Sequence, residues 1–267
     1  MSFLPFIEGC LKTTSVIALK GFGKVKASVK PEDNNQVLTE IDLAIGEYII
    51  DRIQNKYPTY NIIDEEKGVI NNGSEYTWVI DPIDGTSNYA AGVPLYGTFL
   101  GLLKEGDPYA GGMCLPHFSD IYLAEKGEGT SLNRERVRVT REVNLNKTLV
   151  SYTIDSHTEN PTYTKKETEI LANIILNIRN PRMSGSCFDV AMVAKGCYGA
   201  YLNQTSKIWD NVAAQIIIEE AGGIYTDFYG EEMDYSQPLE KLKNNYTFCA
   251  ASPQIHGQLQ DIIQKFK

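Results

Sequence analysis

Two aspartates, Asp81 and Asp84, lie three residues apart in the string WVIDPIDGTS, in a setting that suits a divalent cation. Hard cations such as Mg²⁺ prefer oxygen ligands and are commonly held by a few carboxylates together with the phosphate oxygens of a substrate. Gly85 allows close approach of the backbone to a ligand, and Thr86 adds a hydroxyl that can orient a water. The alternative is an ordinary Asp-Gly turn with Asp81 as a helix N-cap. The whole string favours a metal and phosphate site.

A strand and a helix must position these side chains. Residues 78–80 form a short apolar run with β character, and Pro82 follows it, so we predict a buried strand that ends at Asp81. Residues 86–89 can open a helix. Ligands of α/β proteins commonly bind at the carboxyl ends of strands, which is where the prediction places the two acids.

Three further groups of acids recur beside predicted elements. Asp64, Glu65 and Glu66 follow a second apolar run, although a solvated loop is the alternative for such a charge cluster. Asp42 precedes a helix whose apolar face recurs at helical spacing, and Asp210 stands at the predicted N-cap of the apolar helix in NVAAQIIIEEAGG. Dipole compensation for Asp42 and capping for Asp210 are sufficient alternative explanations when each acid is taken alone.

These motifs occur together, and in this order, in the inositol monophosphatase family. The match rests on LTEID, DEEKG, WVIDPIDGTSNY, RMSGSCFDVAMVAKG and WDNVAAQIIIEEAGG, which extend from about residue 36 to residue 223. The chain resembles a full-length member. The resemblance implies an α/β fold, a layered αβαβα sandwich, as one domain over 1–267. Its halves would be a metal-binding half, 1–144, and a substrate-lining half, 145–267.

The resemblance also implies a magnesium-dependent hydrolysis of a phosphate monoester, with two or three Mg²⁺ ions per site. It allows Mn²⁺ in place of Mg²⁺ and implies inhibition by Ca²⁺ or Li⁺. Glu65, Asp81 and the carbonyl of Ile83 would hold the first ion. Asp81, Asp84 and Asp210 would hold the second, and Glu65 lies beside a third.

Catalytic and substrate roles follow from the same resemblance. Asp42 would polarise Thr86, and the two would share the nucleophilic water, with Glu65 as a third catalytic residue. The implied substrate contacts are Asp84, Gly85, Thr86, Gly185, Ser186, Cys187, Asn203 and Asp210. A loop over 24–36, with Lys30, would close over the site.

Two departures from the family pattern leave the substrate open. Asn203 stands where animal members have a glutamate that binds inositol hydroxyls, and Asp64 stands where the family usually has glycine. We expect inositol 1-phosphate or a related polyol or sugar phosphate. Fructose 1,6-bisphosphate, histidinol phosphate and nucleotide 3′-phosphates remain alternatives, for which Arg182, Lys195 and Lys207 are candidate cations. A regulator that binds metal or phosphate without catalysis is a further alternative.

Composition limits the classes of partner. The chain of 267 residues carries 25 basic and 34 acidic side chains, a net charge of −9, which argues against nucleic acid as a partner. No apolar run approaches the ~20 residues that span a bilayer, and the N-terminus lacks a signal pattern, so we expect a cytoplasmic enzyme without a membrane partner. By resemblance we expect a homodimer. Five cysteines without metal-ligand spacing indicate free thiols. If Cys187 lines the pocket as the resemblance implies, alkylation there would block substrate.

The remaining element predictions concern helices and histidines. A helix is expected over residues 1–20, another from about residue 165 to 180, and an amphipathic one at the C-terminus. The histidines, His117, His157 and His256, all lie outside the acidic motifs, so no histidine enters the predicted chemistry.

Overall fold

A computed structural model of the chain describes residues 2–24, 28–30 and 33–267, with only the backbone described over 28–30 and 33–37. The helices of this part are α1 (Leu4–Gly21), α2 (Glu40–Lys56), α3 (Thr86–Ala90), α4 (Pro161–Ile175), α5 (Cys187–Ala194), α6 (Ile208–Glu220) and α7 (Pro253–Ile263). Its first ten strands are β1 (Ser28–Lys30), β2 (Asp33–Leu38), β3 (Asn61–Asp64), β4 (Gly68–Ile70), β5 (Tyr76–Asp84), β6 (Gly97–Lys104), β7 (Asp107–Leu115), β8 (Asp120–Glu125), β9 (Gly129–Leu132) and β10 (Glu135–Arg136). The later strands are β11 (Leu149–Thr153), β12 (Asn180–Arg182), β13 (Ala200–Ser206), β14 (Ile224–Thr226) and β15 (Tyr246–Ala251).

The strands form two large sheets and a hairpin. The first sheet has eight strands in the order β10-β9-β8-β7-β6-β5-β3-β4, and the second has five in the order β12-β11-β13-β15-β14. Within the described residues, β1 and β2 form a separate two-stranded sheet. In the first sheet β3 runs parallel to β5, so the acids at the ends of both strands meet at one edge. In the second sheet β11 runs parallel to β13.

Helices cover both sheets and separate them. The apolar faces of α1 and α2, which include Ile7, Leu11, Ile45 and Ile49, pack on the outer face of the first sheet. Helices α5 and α6 lie between the sheets, and α4 and α7 pack on the outer face of the second, with Ile170 and Leu259 in that core. The five layers confirm the predicted αβαβα sandwich. None of the helices in the described part is long and apolar enough to cross a membrane.

Helix α6 lies unusually close to the first sheet because two strands carry glycine beneath it. A Cβ at Gly101 would lie 2.8 Å from Val212 Cγ1 and 3.0 Å from the Ala213 amide nitrogen. A Cβ at Gly111 would lie 3.1 Å from Ala213 Cα. A methyl group at either position would therefore push α6 away from the sheet. The absence of side chains at Gly101 and Gly111 therefore sets the distance between α6 and the sheet.

Several element predictions were wrong in position. Strand β5 continues past Asp81 to Asp84, because a bulge at Pro82 and Ile83 is followed by renewed pairing of Asp84 with Gly97 of β6. Helix α4 covers Pro161–Ile175 rather than 165–180, since a proline at its start pre-sets the helical φ. Part of the predicted 24–36 loop is the β1–β2 hairpin, whereas residues 25–27, 31 and 32 and the Lys30 side chain lie outside the described part.

Candidate active site

Three carboxylates that are far apart in the chain meet at one place. Strand β5 contributes Asp81 and Asp84, and α6 contributes Asp210; one oxygen from each lies within 4.8 Å of the others. Gly85, with a left-handed φ of 84°, turns the chain out of β5 directly into α3. Asp210 is the third residue of α6 and not its N-cap, because the helix begins at Ile208. Its carboxylate accepts a hydrogen bond from the Lys207 amide at the start of the helix.

Burial and mutual repulsion make these carboxylates reluctant to ionise. Burial raises the pKa of Asp84 to about 7 and that of Asp210 to about 7, and the charge of Asp84 adds to the rise at Asp210. Asp81 is 1% exposed, and burial, followed by the charge of Glu65, raises its pKa as well. Among the described residues no donor reaches Asp81 Oδ1. A buried oxygen without a donor, in a cluster of hard oxygen ligands, fits a divalent cation.

A cavity of about 780 Å³ opens over this cluster. Glu65 lines it, because β3 ends at Asp64 and the Glu65 amide donates to the Ile80 carbonyl of β5 at 3.2 Å. Ile83 lines the same cavity. The structure therefore brings the predicted metal ligands of β3, β5 and α6 to one cavity.

Thr86 and Asp42 also meet at this site. Thr86 Oγ1 lies 3.3 Å from Asp42 Oδ1 and 2.7 Å from the carbonyl oxygen of Ile83. The other Asp42 oxygen accepts the Thr39 amide at 2.9 Å in a capping box at the start of α2. Burial raises the pKa of Asp42, and the hydrogen bonds from Thr39 offset part of that rise. The Thr86 hydroxyl has one proton, and its shorter contact directs that proton to Ile83, with Asp42 as the second acceptor.

Asp64 supports the turn that carries Glu65. Its Oδ1 accepts the amides of Glu66 and Lys67 at 3.0 and 2.8 Å, which closes the turn by a side chain where the family usually has glycine. Its room comes from Gly46 of α2, where a Cβ would lie 2.8 Å from Asp64 Oδ2. Burial raises the pKa of Asp64 to about 6. The replacement of the family's glycine by Asp64 thus changes only the hydrogen bonding of the turn beneath the site.

The predicted substrate contacts divide between two cavities. Gly85 and Gly185 line the large cavity, whereas Ser186, Cys187 and Asn203 line a smaller one of about 160 Å³ that shares Asp84 and Asp210 with it. Ser186 caps α5 by accepting the Phe188 amide at 3.3 Å. The Cys187 amide donates to the Asp84 carboxylate, and burial raises the pKa of its thiol. Cys187 thus lines a cavity of the site as the resemblance implies, although its burial and raised thiol pKa slow alkylation.

Asn203 is largely occupied by its own strand. Its side-chain oxygen accepts the Thr205 amide at 2.7 Å, and the residue does not line the large cavity. Of the candidate cations, Lys207 lines that cavity, but its ammonium donates to the carbonyls of Lys243 and Asn244 at 3.2 and 3.4 Å. Arg182 and Lys195 do not line it.

Sequence reasoning missed the segment that follows β11. Asp155 and His157 line the large cavity, although both lie outside the motifs that the sequence singled out. The sequence indicates the position of these residues only indirectly, through the pairing of β11. Two parallel neighbours in a sheet end at the same edge, and β11 therefore delivers these residues beside the end of β13.

Comparisons with known proteins agree with this fold. A model of the inositol monophosphatase family matches residues 5–264. A fructose-1,6-bisphosphatase/inositol-1-monophosphatase of Aquifex aeolicus is 31% identical over 251 residues, which cover 89% of this chain and 92% of that protein. A Nus factor SuhB of Xylella fastidiosa is 31% identical over 226 residues, 84% of this chain and 80% of that protein. The structure of a Thermotoga maritima IMPase superposes with a TM-score of 0.85 at 26% identity, covering 100% of this chain and 98% of that one. The chain belongs to the inositol monophosphatase family.

Proposed function

We propose that this chain is a magnesium-dependent phosphatase that hydrolyses a monophosphate ester of a polyol or sugar, with inositol 1-phosphate as the first substrate to test. The observation that carries the proposal is the convergence of three carboxylates, Asp81, Asp84 and Asp210, in which Asp81 Oδ1 has no hydrogen-bond donor among the described residues. Such a cluster is costly unless a cation occupies it. The family membership supports phosphatase chemistry. A relative named both fructose-1,6-bisphosphatase and inositol-1-monophosphatase supports a sugar or polyol phosphate as the substrate class.

The residues of the chain divide the work. Glu65, Asp81, Asp84 and Asp210 would hold the ions, together with the carbonyl of Ile83. When bound, divalent ions neutralise phosphate charge and lower the pKa of a water. With the Ile83 carbonyl engaged in holding an ion, the Thr86 hydroxyl would donate instead to Asp42 Oδ1, 3.3 Å away, and its oxygen would accept a hydrogen bond from the attacking water. Asp42 is buried and within reach of this hydroxyl, so it would accept the proton in that relay.

A substrate panel tests the proposal. Phosphate release would be measured with inositol 1-phosphate, fructose 1,6-bisphosphate, histidinol phosphate and adenosine 3′,5′-bisphosphate, each with Mg²⁺ and with a chelator. We expect the highest kcat/KM with the polyol monophosphate and no release with chelator. Asp84→Asn should lower kcat/KM by at least about 100-fold, since charge stabilisation at the reacting phosphate is lost. The exposed Asp261 of α7 supplies the matched control, Asp261→Asn.

A noncatalytic regulator is the second candidate, because relatives carry the name Nus factor SuhB. Measurable Mg²⁺ binding without phosphate release from any member of the panel would favour it and would overturn the phosphatase. We also propose a homodimer. Light scattering should give twice the mass of the chain, and the apolar side chains of Leu176 and Met183, 83% and 56% exposed, are the first to test for a contact between copies.

A further inference from the structure

We propose that Asp155 binds the hydroxyl groups of the substrate and so supplies the carboxylate that position 203 lacks. The inference rests on the proposed function and names the substrate class more narrowly: a monophosphate of an uncharged polyol. Asp155 stands outside every motif that the sequence singled out. The ends of two parallel strands bring it to the site.

The register of the second sheet places Asp155 beside Asn203. Thr153 of β11 pairs with Asn203 of β13, so the residues two positions further along, Asp155 and Thr205, follow the same edge. The Thr205 hydroxyl donates to Asp155 Oδ2 and lies 3.3 Å from Asn203 Oδ1. A hydrogen-bonded group thus joins Asp155, Thr205 and Asn203. The carboxylate belongs to the strand that neighbours β13 rather than to β13 itself.

Asp155 faces both cavities of the site. It lines the large cavity together with Asp84 and Asp210, and it also lines the smaller cavity beside Ser186. Thr205 engages one of its oxygens, and within the described part of the chain no hydrogen bond is made to Asp155 Oδ1. An oriented carboxylate with an open oxygen in a ligand-sized cavity is a ready acceptor for hydroxyl groups.

The segment that carries Asp155 is held to α4. The His157 amide donates to Thr164 Oγ1 at 3.2 Å, and the His157 ring packs edge-on against Tyr163 with 4.6 Å between ring centroids. His157 Nε2 lies 3.2 Å from Oε2 of the buried Glu167. Strand β11 holds the chain before the carboxylate, and the contacts of His157 hold it after. A binding group on a fixed segment loses little entropy when it engages a ligand.

Charge at this end of the cavity selects against a second phosphate. Asp155 and Glu159 are both acidic and line it, and the ammonium of Lys207 is directed to two backbone carbonyls. A second phosphate beside Asp155 would meet like charge, whereas neutral hydroxyl groups would donate to it. The arrangement therefore favours a polyol monophosphate over a sugar bisphosphate or a nucleotide bisphosphate.

The test compares two esters that differ in their hydroxyl groups. Inositol 1-phosphate and phenyl phosphate would be turned over by the magnesium-loaded protein, and the ratio of their kcat/KM values would be measured. Asp155→Asn keeps an acceptor for Thr205 but removes the charge. We expect this variant to lower the ratio at least tenfold, mainly through KM for the polyol ester. Thr205→Val, which leaves Asp155 charged but unoriented, should lower it less. Glu159→Gln is the matched control on the same segment.

The outcomes separate the two proposals. A ratio that is the same in Asp155→Asn and in the wild type, with both esters hydrolysed, overturns the role of Asp155 and leaves the phosphatase standing. An equal fall in Glu159→Gln also overturns it, because general cavity charge would then explain the effect. If the wild type hydrolyses neither ester nor any member of the panel, both proposals fail. Thermal unfolding of each variant with Mg²⁺ confirms that the fold is retained.

Discussion

Replacing Asp84 with asparagine should stabilise the protein without metal while it abolishes the response to Mg²⁺. In the folded protein burial raises the pKa of Asp84 from 3.8 to about 7. The folded state therefore binds this proton more tightly than the unfolded state does. The resulting contribution to stability is complete below pH 3.8 and is lost progressively as the pH rises to about 7.

The magnitude follows from the size of the shift. One pKa unit corresponds to about 1.4 kcal/mol, so a shift of about three units costs the metal-free wild type up to about 4 kcal/mol at pH 8 relative to acid. Asparagine has no such cost, and its side-chain oxygen can still accept the Cys187 amide. Removal of this charge also lowers the pKa of Asp210, which the charge of Asp84 raises. The variant should thus be more stable than the wild type at about pH 8 in chelator.

Urea unfolding at about pH 5 and about pH 8, with chelator and with millimolar Mg²⁺, measures these terms. The wild type should lose stability between the two pH values in chelator and regain it with Mg²⁺. Asp84→Asn should lose less stability than the wild type between the two pH values, although the raised pKa values of Asp81 and Asp210 leave part of the loss, and it should respond little to Mg²⁺. Asp261→Asn should behave as the wild type. The reasoning is refuted if Asp84→Asn is no more stable than the wild type at the higher pH without metal.

Three further outcomes test other parts of the site. Gly101→Ala should displace α6, lowering stability by about 1–3 kcal/mol in urea unfolding and weakening Mg²⁺ binding in calorimetry, although no ligand is altered. Thr86→Val should lower kcat about 100-fold with Mg²⁺ binding retained, and Thr86→Ser should restore most of the rate; equal rates in both variants would contradict a role for the hydroxyl. Maleimide labelling followed by peptide mapping should modify the exposed Cys197 well before Cys187, and rapid modification of Cys187 would show that its burial is not maintained in solution.

The parts of the site that could be predicted from the sequence are those whose residues are close together in it. Asp81, Asp84, Gly85 and Thr86 occupy one string, and their strand, turn and helix follow from residues within it. Asp210 was placed at the site only through family resemblance, because its approach depends on how deeply α6 packs on the sheet. Homodimerisation, lithium sensitivity and a cytoplasmic location stay predictions.

The part of the site that the sequence did not predict depends on pairing between strands that are distant in sequence. Asp155 lies on an irregular segment, and nothing near it in the sequence shows that β11 will run beside β13. The pairing of β11 with β13 is a tertiary contact that hydrophobic periodicity does not encode. The contact of Ser186 with substrate stays a prediction: the residue lines the smaller cavity, and its hydroxyl also caps its own helix.

Because α6 supplies one of the three carboxylates, ion binding at this cluster also depends on whether α6 has packed on the first sheet. The cluster joins a strand that ends at Asp84 to a helix that begins at Ile208, so a chain that stops before this helix has no third carboxylate. During synthesis the site cannot form until nearly four-fifths of the 267 residues have been made. An ion bound by Asp81, Asp84 and Asp210 together therefore cannot act as an early template for this fold. Binding at this cluster requires α6 to have docked on the first sheet, so a chain truncated or misassembled at this helix would not bind an ion there.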